Sequence, residues 1–293
     1  MAEAVGIVGL GNAGGALASA LCRQMPVVGF DVDPARRAAV ADLGLTLVDS
    51  VEAVARSAPA VILSLPRPEI STAVVAAIAG ERPAPRVVIE TSTVTPGVAR
   101  ALGATCAAAG IGFVDAAIAG GVQSMAAGQV TFLAGGSDAD MAAAAPVLEA
   151  LAERVHHLGP VGAGSGAKVV NNAVMHALMV VLVEAAAMGE KLAIAPEKLV
   201  EILGRPDGIM RPLEHRLRDR VLAGNYEGGM SMANARKDSL LALETAQDLG
   251  VPLFATLAAH TPYEIATARG MGNLDYAALA RLWEEWCGIT LSR

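Results

Sequence analysis

The sequence predicts an α/β fold with a doubly wound, mostly parallel sheet, followed by an all-α C-terminal domain. Three observations predict it. In the first half, short β-rich runs alternate with alanine-rich helical stretches, the signature of βαβ units. Beyond "GPVGAGSGAK" (159–168) the strand signal almost disappears and helical periods take over. Between the first run and the first helix lies the glycine-rich turn "GLGNAG" (9–14).

The β-rich runs are "AVGIVG" (4–9), "PVVGFD" (26–31), "AVILSL" (60–65), "RVVIET" (86–91), "GFVDA" (112–116) and "VTFLA" (130–134). They are nearly continuous in apolar residues, so both faces of the sheet are expected to be covered. The second half reads as helices over roughly 167–193, 196–203, 210–223, 234–249, 252–269 and 275–287. The stretch 159–168 reads as a hinge, which gives expected domains of 1–162 and 163–293.

A chain of 293 residues is long enough to bury a sizeable core in one large or two smaller domains. With 54% hydrophobic and 17% charged residues it is a globular sequence, not a disordered one. A net charge of -7 argues against a nucleic-acid partner. Cys22, Cys106 and Cys287 are odd in number and far apart, and read as reduced thiols. No histidine has zinc-site spacing, and the adjacent His156 and His157 point to opposite faces of a strand, so no metal is expected. The N-terminus lacks the basic region of a signal peptide and runs straight into a strand, so a cytoplasmic protein is expected. The apolar stretch 169–189 is interrupted by Asn171, Asn172, His176 and Glu184. It reads as a buried helix between domains or subunits, not as a membrane span.

The turn "GLGNAG" follows a strand and opens a helix. Gly9 suits the tight turn, Gly11 lets backbone approach a pyrophosphate, and Gly14 lets the helix pack closely. Asn12 and Ala13 complete the loop, and the helix N-terminus offers free N–H groups to phosphates. Asp31 ends the second run, about twenty residues on, where a carboxylate accepts from ribose hydroxyls and repels a 2′-phosphate. This is the Rossmann fingerprint, and Asp31 favours NAD over NADP. Asp33 suits the N-cap of "PARRAA", while Arg36 and Arg37 lie near enough to meet a 2′-phosphate. Leu65 and Pro66, at the end of the third run, are candidate cofactor contacts. In "TSTVTPG" (91–97), Thr95 suits a cap and Pro96 a first helical position, with Ser92 and Thr93 beside the cofactor. Gly120 and Gly121 follow a strand and either form a simple loop or present amides to an anion.

Lys168 poses a question. It stands in the first turn of a helix, and no Asp, Glu, Lys or Arg follows until Glu184. Burial, the helix dipole and a cationic nicotinamide all favour its neutral form. Such an amine can take a proton from an alcohol. Asn172 is its i+4 neighbour and His176 lies a turn further on, the latter reading as an interior histidine.

Taken together, "GIVGLGNAGGALA", "TSTVTP", "DAAIAGGVQSMAAGQVTFLAGG", "GSGAKVVNN" and "ARKDSLLAL" resemble the β-hydroxyacid dehydrogenases, the group of 3-hydroxyisobutyrate dehydrogenase and tartronate semialdehyde reductase related to 6-phosphogluconate dehydrogenase. The resemblance spans essentially the whole chain. It implies a Rossmann domain joined to an all-helical domain by a long helix, and a homodimer or homotetramer. It implies Lys168 as the catalytic lysine, Asn172 as a substrate-binding residue and Lys237 as a second lysine approaching the cofactor. It places Thr93 at the nicotinamide end and the substrate carboxylate at Gly120 and Gly121. Ala119 stands where the family has a substrate-binding serine, and Ala117 where it has proline. The segment 203–217 also departs from the family pattern. There Arg211, His215 and Arg216 either meet a distal anion or lie on a solvated helix face.

The reading that results is an NAD-dependent dehydrogenase of a small 3-hydroxy acid, with no membrane partner. Two others stand beside it: an imine reductase, against which Lys168 counts, and a dinucleotide-binding sensor without turnover.

Overall fold

Among the described residues, eight strands form one sheet. In chain order they are β1 (Val5–Val8), β2 (Val27–Phe30), β3 (Thr46–Leu47), β4 (Ala60–Leu63), β5 (Val87–Glu90), β6 (Gly112–Ala119), β7 (Val130–Gly135) and β8 (Ala152–His157). Across the sheet the order is β3-β2-β1-β4-β5-β6-β7-β8. Every neighbouring pair is parallel except β6 and β7. The order reverses between β1 and β4, and that is where open α/β sheets leave a crevice at their carboxyl ends.

The computed structural model describes residues 3–293. Six strands coincide with the six β-rich runs. The other two were invisible for opposite reasons. β3 is only two residues long, and β8, "AERVHH", is polar because most of it is exposed. Alternation covers both faces of the sheet. Ile7, Ile62 and Ile89 belong to one apolar cluster, and Val61, Leu63 and Val88 to the other.

The helices between the strands are α1 (Asn12–Cys22), α2 (Pro34–Ala39), α3 (Val51–Ser57), α4 (Pro68–Ala79), α5 (Pro96–Ala108), α6 (Val122–Ala127) and α7 (Asp138–Leu151). Their starts follow capping chemistry. Asp33 accepts from Ala35 N–H at 2.8 Å, and Thr95 accepts from Val98 N–H at 3.3 Å with Pro96 next.

Two compact units make up the chain, Met1–Ala173 and Val174–Arg293. The division falls inside α8 (Ala163–Lys191) because the first turns of that helix are held to the sheet. Asp115 of β6 is fully buried and accepts from Gly162 N–H at 2.8 Å and Ser165 N–H at 2.7 Å. A Cβ on Gly164 would meet the Leu133 carbonyl oxygen at 2.3 Å, so glycine sets how closely the helix approaches. The glycine-rich stretch 159–168 is therefore only partly a hinge, since its second half is helix.

The second unit is helical as expected. It holds the rest of α8, α9 (Pro196–Leu203), a π-helix over Pro212–Val221, α10 (Met232–Leu249), α11 (Phe254–Ala268), and a 3₁₀ turn (Tyr276–Leu279) leading into α12 (Ala280–Cys287). Glu184 of α8 caps α11, accepting from Ala255 N–H at 2.7 Å and Thr256 N–H at 3.0 Å. Burial pushes this carboxyl up, but those donors outweigh burial and hold it below its ordinary value.

Along α8 the chain by itself does not supply the expected burial. Almost none of its apolar stretch is buried; Val170 is 66% exposed and Met179 58%. By length and composition alone it is long and apolar enough to cross a membrane. His176 is exposed as well, not interior.

Candidate functional site

The first strand-to-helix turn leaves no room for side chains on its inner side. Gly9 has φ of +95°, and a Cβ there would meet the Ser64 carbonyl oxygen at 2.2 Å. A Cβ on Gly14 would meet the Gly9 carbonyl oxygen at 1.9 Å. Gly11 differs, because nothing lies within 4 Å of its Cβ position. It is also the N-cap of α1 and offers no side-chain cap, so the first N–H groups of that helix are open to a phosphate.

Asp31 is tied to this turn. Its Oδ2 accepts from Leu10 N–H at 2.7 Å and its Oδ1 from Asp33 N–H at 2.9 Å. Each oxygen retains a second acceptor position for a hydroxyl. Arg36 donates to the Asn12 side chain at 3.2 Å, while Arg37 donates to the Asp31 carbonyl and stacks over Phe30.

These groups open onto a cavity of about 580 Å³. Gly9, Gly11, Asn12, Ala13, Gly14 and Asp31 line it from the turn. Leu65, Pro66, Thr93, Gly120 and Lys168 line it from β4, β5, β6 and α8 or the loops that follow those strands. Every expected cofactor contact except Lys237 thus lines one cavity, in a chain whose turn fits a dinucleotide. Ala119 and Gly121 flank Gly120 in the chain but do not line the cavity themselves, and Asn172 is half-buried one turn beyond Lys168. Lys237 lies in the second unit, on α10, where it is exposed and pairs with Asp238 at 3.1 Å.

Behind the wall runs a short relay. Leu65 N–H donates to Ser92 Oγ at 2.8 Å, and Ser92 N–H donates to Glu90 Oε1 at 2.8 Å. Glu90 is 1% exposed, and burial pushes its carboxyl up further than its hydrogen bond from Ser92 draws it down. The neighbouring Asp115, its partner in the β5–β6 register, adds to the rise.

Lys168 is half-buried, and among the described residues it has no carboxylate within ion-pair distance. Desolvation lowers its pKa from the ordinary value of 10.5. Its position corrects one sequence expectation. α8 begins at Ala163, so Lys168 sits in the second turn, beyond the reach of most of the dipole effect. Desolvation is what favours the neutral amine.

Sequence reasoning passed over Asp115 and Glu90. A signal was present, because an acid inside an apolar strand run must find partners. Among the described residues there is no group of three or more potential metal ligands, and the three cysteines are free.

Fold and cavity together define a nicotinamide-dinucleotide oxidoreductase. The NAD binding domain of 6-phosphogluconate dehydrogenase matches residues 4–159, and the NAD-binding domain of NADP-dependent 3-hydroxyisobutyrate dehydrogenase matches 162–283. The chain is 32% identical to 2-(hydroxymethyl)glutarate dehydrogenase of Eubacterium barkeri, over 98% of this chain and 97% of that one. It is 27% identical to the structure of Mycobacterium tuberculosis 3-hydroxyisobutyrate dehydrogenase with L-serine, covering 97% and 99% of the two chains at a TM-score of 0.65. An imine reductase from Myxococcus stipitatus superposes at a TM-score of 0.82 with 19% identity over 96% and 99%, a likeness of fold alone. The chain belongs to the β-hydroxyacid dehydrogenase family.

Proposed function

We propose that this protein is an NAD-dependent dehydrogenase of a small 3-hydroxy acid, reversibly giving a semialdehyde or keto acid. The observation that carries the reading is Lys168: a lysine with no counter-ion among the described residues, with a lowered pKa, lining the cavity that the dinucleotide turn also lines. A nicotinamide held by this cavity would supply the hydride acceptor or donor for the carbinol carbon. Lys168 takes the hydroxyl proton in oxidation and returns it in reduction. Asn172, one turn further along α8, orients substrate or lysine. The amides at Gly120 and Gly121 receive the substrate carboxylate. Asp31 receives the ribose hydroxyls, which selects NAD.

Relatives support the substrate class. 3-Hydroxyisobutyrate dehydrogenase and 2-(hydroxymethyl)glutarate dehydrogenase are both named for acids with a hydroxyl on the β-carbon. Ala119 supports a substrate anchored differently from the simplest of these, because the serine hydroxyl is missing. The exposed apolar face of α8 fits an interface between copies of the chain in a homodimer or homotetramer. Its interrupting Asn171, Asn172, His176 and Glu184 argue against a membrane, and we place the enzyme in the cytoplasm.

The test is a panel of 3-hydroxy acids with NAD, run on the wild type and on Lys168→Ala. The variant should lose roughly 10²-fold or more in kcat, the usual scale for a lost general acid–base. Its NAD affinity, read by fluorescence titration, should hold. An unchanged kcat/KM would make the lysine structural and the mechanism wrong. Turnover of cyclic imines but of no hydroxy acid would assign the imine-reductase reading instead.

A further inference from the structure

The helical unit has a polar cavity of its own. It is open to solvent and has a volume of about 920 Å³. Arg211, His215, Arg216 and Arg220 all line it. The helix type explains the grouping. In a π-helix each N–H reaches back to the fifth residue, so residues four, five and nine apart share a side. An α-helix, turning about 100° per residue, would carry Arg216 and Arg220 to the side opposite Arg211.

The cationic charge is local and only partly spent. Residues 203–220 carry five arginines (205, 211, 216, 218, 220) against three acids (Asp207, Glu214, Asp219), in a chain whose net charge is -7. Two of the wall's carboxylates are already engaged. Asp207 lies 3.5 Å from Arg205, and Asp219 lies 2.9 Å from Arg218 and 3.4 Å from His215. Glu227 also lines the cavity, and its backbone carbonyl accepts from Arg220. Among the described residues, neither Arg211 nor Arg220 has a carboxylate partner.

Arg216 is fixed in place. Its side chain is 12% exposed, its Nε stands 3.3 Å from the fully buried carboxylate of Asp275, and its guanidinium lies over the Tyr276 ring at 4.8 Å. It is therefore not on a solvated helix face. A rigid guanidinium beside two that lack a carboxylate partner suits an oxygen-rich anion, which arginine grips through parallel N–H donors.

We propose that this cavity binds a small oxyanion, the phosphate or carboxylate group of a small anionic molecule. Arg211 and Arg220 are its main donors, and Arg216 forms the rigid wall behind them.

The test uses the full-length protein without cofactor and isothermal titration calorimetry with two probes, inorganic phosphate and glutarate. At least one should bind at millimolar concentration or below. Phosphate alone binding would point to a phosphorylated ligand; glutarate binding would point to a carboxylate, such as the far end of a dicarboxylic acid. Arg211→Gln with Arg220→Gln should weaken binding by roughly tenfold or more, the loss of hydrogen bonds to a charged group. Lys198→Gln, on α9 and outside the cavity, should leave it unchanged. Should the double variant melt early, Arg211→Gln alone makes the comparison, since that side chain is exposed and carries no ion pair. No binding of either probe would overturn the proposal, as would equal weakening by Lys198→Gln. Binding is read here without turnover, so its failure is distinguishable from failure of the dehydrogenase assay.

Discussion

Replacing Asp115 by asparagine should loosen the helix that carries Lys168. The carboxylate is fully buried, and each oxygen accepts one backbone N–H, from Gly162 at 2.8 Å and from Ser165 at 2.7 Å. A hydrogen bond to a charged group contributes about 1.5–3 kcal/mol, so the pair is worth roughly 3–6 kcal/mol. Asparagine keeps the volume and one acceptor but turns an NH₂ toward the other amide. The expected loss is about half, roughly 1.5–3 kcal/mol. In a protein of this size that lowers the melting midpoint by roughly 3–10 °C. Thermal unfolding followed by circular dichroism measures it. kcat should fall in the same variant, because the lysine follows the clamp by one turn, while NAD affinity should change less. A melting midpoint equal to the wild type would refute the reasoning. It would mean that the two amides find other acceptors and that the carboxylate does not hold α8.

Other outcomes are expected. If Asp31 governs the ribose, Arg36→Ala should leave kcat/KM with NAD nearly unchanged; if NADP is the better cofactor and the variant loses it, Arg36 governs the pocket instead. Ala119→Ser should improve kcat/KM on simple acids such as 3-hydroxyisobutyrate or glycerate by roughly ten- to a hundredfold, the worth of one hydrogen bond to a charged group. A flat response across every acid would show that the missing hydroxyl does not set specificity. Glu90→Gln tests the buried relay. Burial raises the Glu90 carboxyl above its ordinary value of 4.5, so the folded state binds this proton more tightly than the unfolded state. Wild-type stability should therefore fall as pH rises past 4.5 and level off above the raised value. The variant lacks that loss and should gain on the wild type between pH 4 and pH 7 in urea midpoints. A constant gap at the two pH values would show that Glu90 titrates normally.

Much of this was legible in the residues. The central strands are short, apolar and separated by helical stretches, so they announced themselves. β3 and β8 did not, one through brevity and the other because a polar, exposed strand lacks the apolar run that marks its neighbours. The dinucleotide turn was readable because its chemistry is backbone chemistry: Gly9 and Gly14 are required by contacts of about 2 Å that any side chain would violate. The start of α8 was misread because "GPVGAGSGAK" has loop composition, and only tertiary contacts with Asp115 and Leu133 make half of it helix. The cluster of Arg211, Arg216 and Arg220 was hidden for a different reason. Helical spacing at 3.6 residues per turn scatters them, and the sequence does not signal that the helix over 212–221 would be wider.

The clamp at Asp115 turns the position of Lys168 into a matter of counting. From Ser165, held by the carboxylate, to Lys168 is three residues, which an α-helix converts into about 4.5 Å of rise and 300° of rotation. Identity at one of the two intervening positions is nearly free. Gly166 has only ordinary contact with Pro96, so a methyl group fits there. Length is not free. One inserted residue would swing the amine by about 100° and off the cavity wall while leaving every other contact of the sheet in place. Along this chain, then, divergence has room to change the letter at 166 but no room to change the number of residues between 165 and 168.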